Sequence, residues 1–265
     1  GPGRRRTGSV RPGRRDPRPR RLLALWLLLL GLSARAEGGG EAPALRYEPS
    51  TVAGQRGHLL RVDLRRVELR LLDARDLGAT ALTAREFQQR TGALAVFNGP
   101  FFDVDGSPMG LLVVDGEERR PLRRVDWGVF ALDAAGASIV HTSDWQTRDG
   151  LRQAFQVGPR LIVEGQAVAL KHQAARRTAL CVVGPQELRV LVVGSPLWAE
   201  DLTDFLAAQG CVDALNLDGG GSTQLYLASG DLEVEVAGEV PVPVAVGLFA
   251  DTIERAAERR SCACP

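Results

Sequence analysis

The residues best suited to chemistry lie in the stretch Asn216-Leu217-Asp218-Gly219-Gly220-Gly221-Ser222-Thr223. A largely apolar run, Val212 to Leu217, delivers one carboxylate into three consecutive glycines and a hydroxyl pair. The alternating segment Gln224-Leu225-Tyr226-Leu227 follows at once. The pattern predicts strand, sharp turn, strand. Glycine reaches backbone angles closed to other residues and lets a second group approach the main chain. Successive N–H groups in such a turn form a concavity that suits an anion. A plain hairpin needs fewer glycines than this for its positive φ, so the turn reads as functional.

A second candidate is Asn98-Gly99-Pro100-Phe101-Phe102-Asp103-Val104-Asp105-Gly106, which leaves a buried strand, Ala93 to Phe97, with polar groups at its exit. Phe101 and Phe102 suit either core plugs or a stacking wall for a sugar ring. Asp103 and Asp105 with Gly106 have the look of a partial calcium loop, but the closing glutamate is absent, so Asp105 reads as a solvated turn and Asp103 as the functional candidate. A third group is Gln156-Val157-Gly158-Pro159-Arg160 with Arg176-Arg177-Thr178. Arg177 suits a structural ion pair and a clamp on phosphate equally well. His58, His141 and His172 show no ligand spacing, and no metal or cofactor is expected. Ser222 lacks the G-x-S-x-G elbow of a serine nucleophile, and no lysine or helix follows the glycines as a phosphate-binding P-loop requires.

These loops need a scaffold of strands. His58 to Leu72 alternates in two pieces. Thr83-Ala84-Arg85-Glu86 is a capping box that starts a helix running to about Arg90, closed by Gly92. Gly128 to Leu132 pairs with Ser138 to His141, and Arg177 to Val183 with Leu188 to Val193 across Gly184-Pro185. Ser143 caps a short helix through Arg152. Ser195-Pro196 opens the clearest helix, ended by Gly210. Val242 to Ala250 is a last apolar strand. Many strands and few helices without βαβ alternation imply α+β, a single domain with a mixed, largely antiparallel sheet and a few helices.

Composition sets the compartment. Of 265 residues, 33 are basic and 32 acidic, but residues 1–36 hold ten arginines and one acid, Asp16. Without them 23 basic and 31 acidic residues remain, a formal charge of about −8. That balance argues against a nucleic-acid partner. Arg20-Arg21, the apolar run Leu22 to Leu30 and Ala34-Arg35-Ala36 read as a secretory signal cleaved after Ala36. The expected layout is a signal peptide over 1–36, a linker over 37–45, the domain over 46–256 and a tail over 257–265. No membrane span is expected after cleavage, and the chain is expected to be exported, to the periplasm or the cell exterior. Export permits disulfides, but Cys181, Cys211, Cys262 and Cys264 leave pairing open, and buried free thiols fit Cys181 and Cys211 equally.

Taken together, Asn98-Gly99-Pro100-Phe101-Phe102-Asp103, Gln156-Val157-Gly158-Pro159, Arg177 and Asn216-Leu217-Asp218-Gly219-Gly220-Gly221-Ser222 resemble, in this order, the phosphodiester glycosidase family. The resemblance is to its uncovering-enzyme-like members, with Gly210-Cys211 matching the exported bacterial branch, and it spans roughly residues 46–250. Pro100 stands where the family more often has Gly, and Pro241-Val242-Pro243-Val244 lacks the family's usual Arg. The resemblance implies hydrolysis of a sugar-1-phosphodiester at the glycosidic C–O bond through an oxocarbenium-like transition state, with a sugar phosphate or cell-envelope glycan as substrate. It assigns catalysis to Asp218, Asp103 and Arg177. It assigns substrate binding to Asn98, Gly99, Phe102, Gly158, Asn216, Gly219, Gly220, Gly221, Ser222 and Thr223. Arg177 and the Gly219–Gly221 backbone would hold the phosphate. Two other readings are a non-catalytic glycan or cell-wall binding protein on the same fold, and a calcium-dependent structural protein built on Asp103 and Asp105.

Overall fold

A computed structural model of the chain describes residues 43–250. The expected signal peptide, most of the expected linker, the end of the expected domain, the expected tail, Cys262 and Cys264 lie outside the described residues. Three sheets carry the fold. The largest has seven strands in the order Leu45–Val52, Gln55–Asp63, Glu187–Trp198, Ala174–Gly184, Asp213–Asn216, Arg160–Val163 and Gln166–Ala167. The second runs Leu232–Val236, Leu225–Ser229, Ala95–Asn98, Val244–Ala250 and Val67–Asp73. The third runs Glu117–Arg120, Leu112–Val114, Gln153–Val157, Gly128–Asp133 and Gly136–His141.

One core joins them. Leu60, Val62, Leu180 and Leu215 of the first sheet, Phe97, Leu225 and Val246 of the second, and Phe130 and Phe155 of the third bury their side chains together. Alternate residues of the seven-stranded sheet, among them Leu59, Ala179, Leu191 and Ala214, point the other way, where Leu202 and Leu206 of the helix Ala199–Ala208 cover them. Both faces of this sheet are therefore dry, which explains near-continuous apolar runs such as Leu188–Val193 in place of alternation. The second sheet is backed in the same way by the helix Ala84–Thr91, whose Phe87 is fully buried. Burying that ring stabilises the fold by about 1.5–3 kcal/mol.

The capping box forms as expected: Thr83 accepts from Glu86 N, Glu86 accepts from Thr83 N, and Gly92 ends the helix in the left-handed region. Other expectations are corrected. Every strand pair among the described residues is antiparallel, so the sheets are not mixed. The fold is also largely β: its two α-helices have 8 and 10 residues. Strand Leu45–Val52 begins inside the expected linker, because pairing with Gln55–Asp63 recruits it. Ser195-Pro196 does not cap a helix. The strand continues to Trp198, Ser195 Oγ donates to Gln55 Oε1 (2.6 Å), and the helix starts at Ala199 with acidic Glu200 and Asp201 in its first turn. The helix expected after Ser143 is only the 3-10 turn Thr142–Asp144. A disulfide joins Cys181, in a central strand, to Cys211, just past the second helix.

Candidate active site

The Gly-rich stretch is the crossover between two sheets. Strand Asp213–Asn216 lies beside Ala174–Gly184 in the first sheet, with Ala179 opposite Asn216. Leu217 N still donates to Thr178 O (2.9 Å). Asp218 then leaves that sheet, donating its N–H to Gly99 O (3.2 Å). After the 3-10 turn Gly220–Ser222 the chain enters the second sheet as Leu225–Ser229, beside the strand that ends in Asn98. Gly220 sits at φ +59°, a conformation open to glycine at little cost. The internal bonds of the turn begin with Ser222 N to Gly219 O, so the Gly220 and Gly221 N–H groups precede them.

Asn98 locks this crossover. It is fully buried; its Nδ2 donates to Asp218 O (2.6 Å), and its Oδ1 accepts from Thr178 Oγ (2.6 Å) and Gln224 N (3.2 Å). Gly99 packs so closely that a Cβ there would come within 2.9 Å of Val244 O. Gln224, also buried, accepts from Ala84 N (2.6 Å) and donates to Ser222 O and Val240 O, tying the turn to the first helix. The Asn98 side chain and the Gly99 carbonyl therefore hold the crossover in place.

Asp218 is the carboxylate at the centre. Burial raises its pKa above the ordinary carboxylate value, and bonds from the Ser222 hydroxyl and Gly219 N–H (3.0 Å to Oδ1) partly oppose that rise. Asn216 lies beside it; its Nδ2 donates to Leu217 O (2.8 Å), with a longer contact to Gly158 O (3.5 Å). Asn216 Oδ1 and Thr223 Oγ are buried without a hydrogen-bond partner, as is Arg176 Nε. Buried polar groups are normally satisfied, and exceptions call for a reason.

Beyond the last paired residues, Ala179 and Asn216, the bond from Leu217 N to Thr178 O continues the contact, and the Cβ position of Gly219 lies 2.8 Å from Arg176 O, which brings the strand entry at Arg176-Arg177 alongside the turn. The two arginines then diverge. Arg176 binds Thr223 O (3.1 Å), Ala237 O (2.5 Å) and Glu239 (3.1 Å), bracing the turn from outside. Arg177 is buried and donates to Gln173 O (2.6 Å) and Leu197 O (3.4 Å); burial lowers its pKa and Glu200 raises it.

Two expected site residues make their contacts away from Asp218. Asp103 is exposed, and its Oδ1 accepts from Val104 N (2.8 Å) within its own loop. It forms a turn and makes no bond to Asp218, because the loop after Gly99 folds back on itself through Met109 N to Phe101 O. Phe102 packs into the cluster that holds Leu82 and Phe87, as a core plug. The half-exposed neighbour Phe101 meets Trp127 edge-on, with ring centroids 5.1 Å apart. Asp105 likewise accepts from Ser107 N in its own turn. Among the described residues no group of three or more His, Cys, Asp or Glu could hold a metal ion. Arg176, Thr178 and Gln224 are site residues that single-sequence reasoning misses. Only the run Arg176-Arg177-Thr178 at a strand entry signals the first two.

Fold and site together define a β-rich domain that carries a half-buried carboxylate, Asp218, on a glycine crossover between sheets, with unsatisfied polar groups on the same crossover. Residues 91–249 match the sequence profile of the phosphodiester glycosidases, and the chain belongs to that family. No protein of curated function matches it. Among solved structures, the catalytic domain of zebrafish N-acetylglucosamine-1-phosphodiester alpha-N-acetylglucosaminidase, auto-inhibited by its pro-peptide, is similar with a TM-score of 0.64. Its identity is 18%, over 80% of this chain and 85% of that one. A hypothetical protein from Synechocystis (TM-score 0.55, 15% identity, 78% and 62% covered) has the same fold. So does a putative exported protein from Burkholderia pseudomallei (TM-score 0.54, 14% identity, 74% of each).

Proposed function

We propose that this phosphodiester glycosidase hydrolyses the glycosidic C–O bond of a sugar-1-phosphodiester, with Asp218 as the carboxylate at the sugar. The observation that carries the proposal is Asp218 itself, a half-buried carboxylate of raised pKa on the turn where Asn216 Oδ1 and Thr223 Oγ lack partners. Desolvation strengthens such a group as a base and favours it where positive charge develops on the sugar ring. A phosphate leaving group departs more readily than an alkoxide, so the site has to hold the phosphate and place water rather than protonate a poor leaving group. Arg177 and the N–H groups of Gly220 and Gly221 are the phosphate holders. Ser222 orients Asp218, and Asn216 and Thr223 meet sugar hydroxyls. Asp103 is left as a loop former.

Export of the chain belongs to the same reading. The residues at 1–36 have the composition of a secretory signal, and the Cys181–Cys211 disulfide suits an oxidising compartment. The test is incubation of the purified chain with a sugar-1-phosphodiester, following release of free sugar and phosphomonoester. Asp218→Asn is expected to lower turnover by about 10²–10⁴-fold while keeping the fold. Near-wild-type release by that variant would refute the assignment, and binding without release by the wild type would favour a non-catalytic glycan-binding role.

A further inference from the structure

Arg177 is more deeply buried than its own contacts explain. It is 7% exposed, it makes no ion pair among the described residues, and Glu200 acts on it only at longer range. Its Nε and Nη2 donate to neutral carbonyls, which fix the guanidinium but do not neutralise it. A buried cation without a counter-charge suits an anionic ligand.

The carbonyls that hold it belong to Gln173 and Leu197, and each has an aromatic neighbour. His172 precedes Gln173 and Trp198 follows Leu197. The two rings stack with centroids 3.9 Å apart and 9° between planes. Trp198 still exposes 43% of its surface, and the His172 side chain 70%. The stack is held in place: Trp198 pairs with Ala174 in the strand register, and His172 Nδ1 and Glu200 Oε1 lie 3.0 Å apart. It is a fixed flat surface with a carboxylate at its edge, beside a buried cation whose chain neighbour Arg176 lays its carbonyl against Gly219 of the turn.

We propose that the Trp198–His172 stack, with Arg177 beside it, is the subsite for the group on the far side of the phosphate, and that it takes a flat ring such as a nucleobase or an aryl group. This rests on the reading of the chain as a phosphodiester glycosidase and extends it to the leaving group. Bases stack on aromatic side chains whatever their sequence identity, because each has a π-face. Glu200 accepts from ring N–H donors at the edge, and Arg177 takes the phosphate that the ring carries.

The experiment compares uridine 5′-monophosphate with ribose 5-phosphate, which lacks the base, by calorimetry on the whole chain and on Trp198→Ala, Trp198→Phe and His172→Ala. The wild type is expected to prefer the nucleotide. Trp198→Ala is expected to reduce that preference roughly tenfold, within the range for loss of one base–aromatic stack, and Trp198→Phe to restore most of it. With a uridine-diphosphate sugar as substrate, KM rises by the same factor. Equal affinity for the two phosphates in the wild type, or equal losses for both in Trp198→Ala, overturns the proposal. So does an equal rise in KM for a phosphodiester with a pyranosyl leaving group. The two readings fail separately. Trp198-dependent nucleotide binding without sugar release keeps the subsite and sinks the hydrolase. Sugar release with KM unchanged in Trp198→Ala does the reverse.

Discussion

Replacing Asn98 by alanine separates a positioning role from a substrate-binding one. The side chain makes three buried hydrogen bonds, to Asp218 O, Thr178 Oγ and Gln224 N. Truncation leaves one carbonyl, one hydroxyl and one N–H without partners, each costing about 1–3 kcal/mol when fully buried. The Thr178 hydroxyl can rotate and the lost volume is small, so the sum lies near the lower end, at about 3–5 kcal/mol. For a domain of this size a urea m-value of about 3 kcal/mol/M turns that into a midpoint lowered by about 1–1.7 M. Pairing Asn98→Ala with Thr178→Val in a double-mutant cycle is expected to recover part of the loss, with a coupling of about 1–2 kcal/mol. The assay is equilibrium unfolding followed by far-UV circular dichroism, with turnover measured on the folded fraction. A midpoint within 0.3 M of the wild type, roughly 1 kcal/mol, combined with collapsed turnover, refutes the positioning argument and returns Asn98 to the substrate.

Asp218 carries a pH signature. Its folded pKa is raised, so between the ordinary value of 3.8 and the folded value the native state binds the proton and the unfolded state does not. Stability contributed by this group is therefore present below 3.8 and falls as pH rises through that window. Asp218→Asn is expected to raise the melting temperature at pH 7 relative to wild type, with the gain vanishing below about pH 3.8 in scanning calorimetry. Asp103→Asn is expected to lose less turnover than Asp218→Asn in the sugar-release assay. Removing the disulfide as Cys181→Ala/Cys211→Ala opens a cross-link of sequence separation 30. The expected loss is about 3–4 kcal/mol by the chain-entropy relation, read in urea titrations. Thr83→Ala removes one half of the capping box and is expected to cost about 1 kcal/mol by the same measurement.

What was legible in the sequence was local. Thr83 and Glu86 meet within one turn, so the helix at Ala84–Thr91 lies within a residue of the expected span. Gly184-Pro185 and Ala134-Ala135-Gly136 mark hairpins that form. The Asp-Gly-Gly-Gly-Ser turn is where strand gives way to strand. Ser195-Pro196 misleads because a cap preference of about 1 kcal/mol competes with a strand still paired at Ala175–Leu197 and Ala174–Trp198. The strand Leu232–Val236 escapes notice because Glu233 and Glu235 face outward, where Arg85 pairs with both. At the site, Asp218 and its glycines announce themselves by type and spacing. Gln224 does not, because its bond to Ala84 N spans 140 residues and no pattern in either segment encodes it. Asp103 is the complementary case: its type suits catalysis, and the fold of its loop turns it to solvent.

The same crossover explains why one fold can hold this carboxylate in a costly state. A partly desolvated carboxylate without a counter-charge is costly, and here the surroundings that hold it come from both sheets at once. Leu217 N remains bonded to the first sheet, Asp218 O is held by the end of the second, and Gln224 fastens the exit to a helix. The three glycines let these backbones approach without side chains between them, as Gly219 does against Arg176 O. The residues that place Asp218 are therefore the ones whose bonds run between elements, not the ones that neighbour it in sequence. Substitutions at Thr178 or Gln224 should lower turnover through the position of Asp218, and a conservative Gln224→Glu, which puts a second carboxylate where Gln224 now donates to Ser222 O and Val240 O, should do so with a rate profile shifted to higher pH, because a second negative charge raises a carboxyl pKa. An unchanged profile and rate in that variant would show that the crossover tolerates movement and that these bonds are not what holds Asp218 in place.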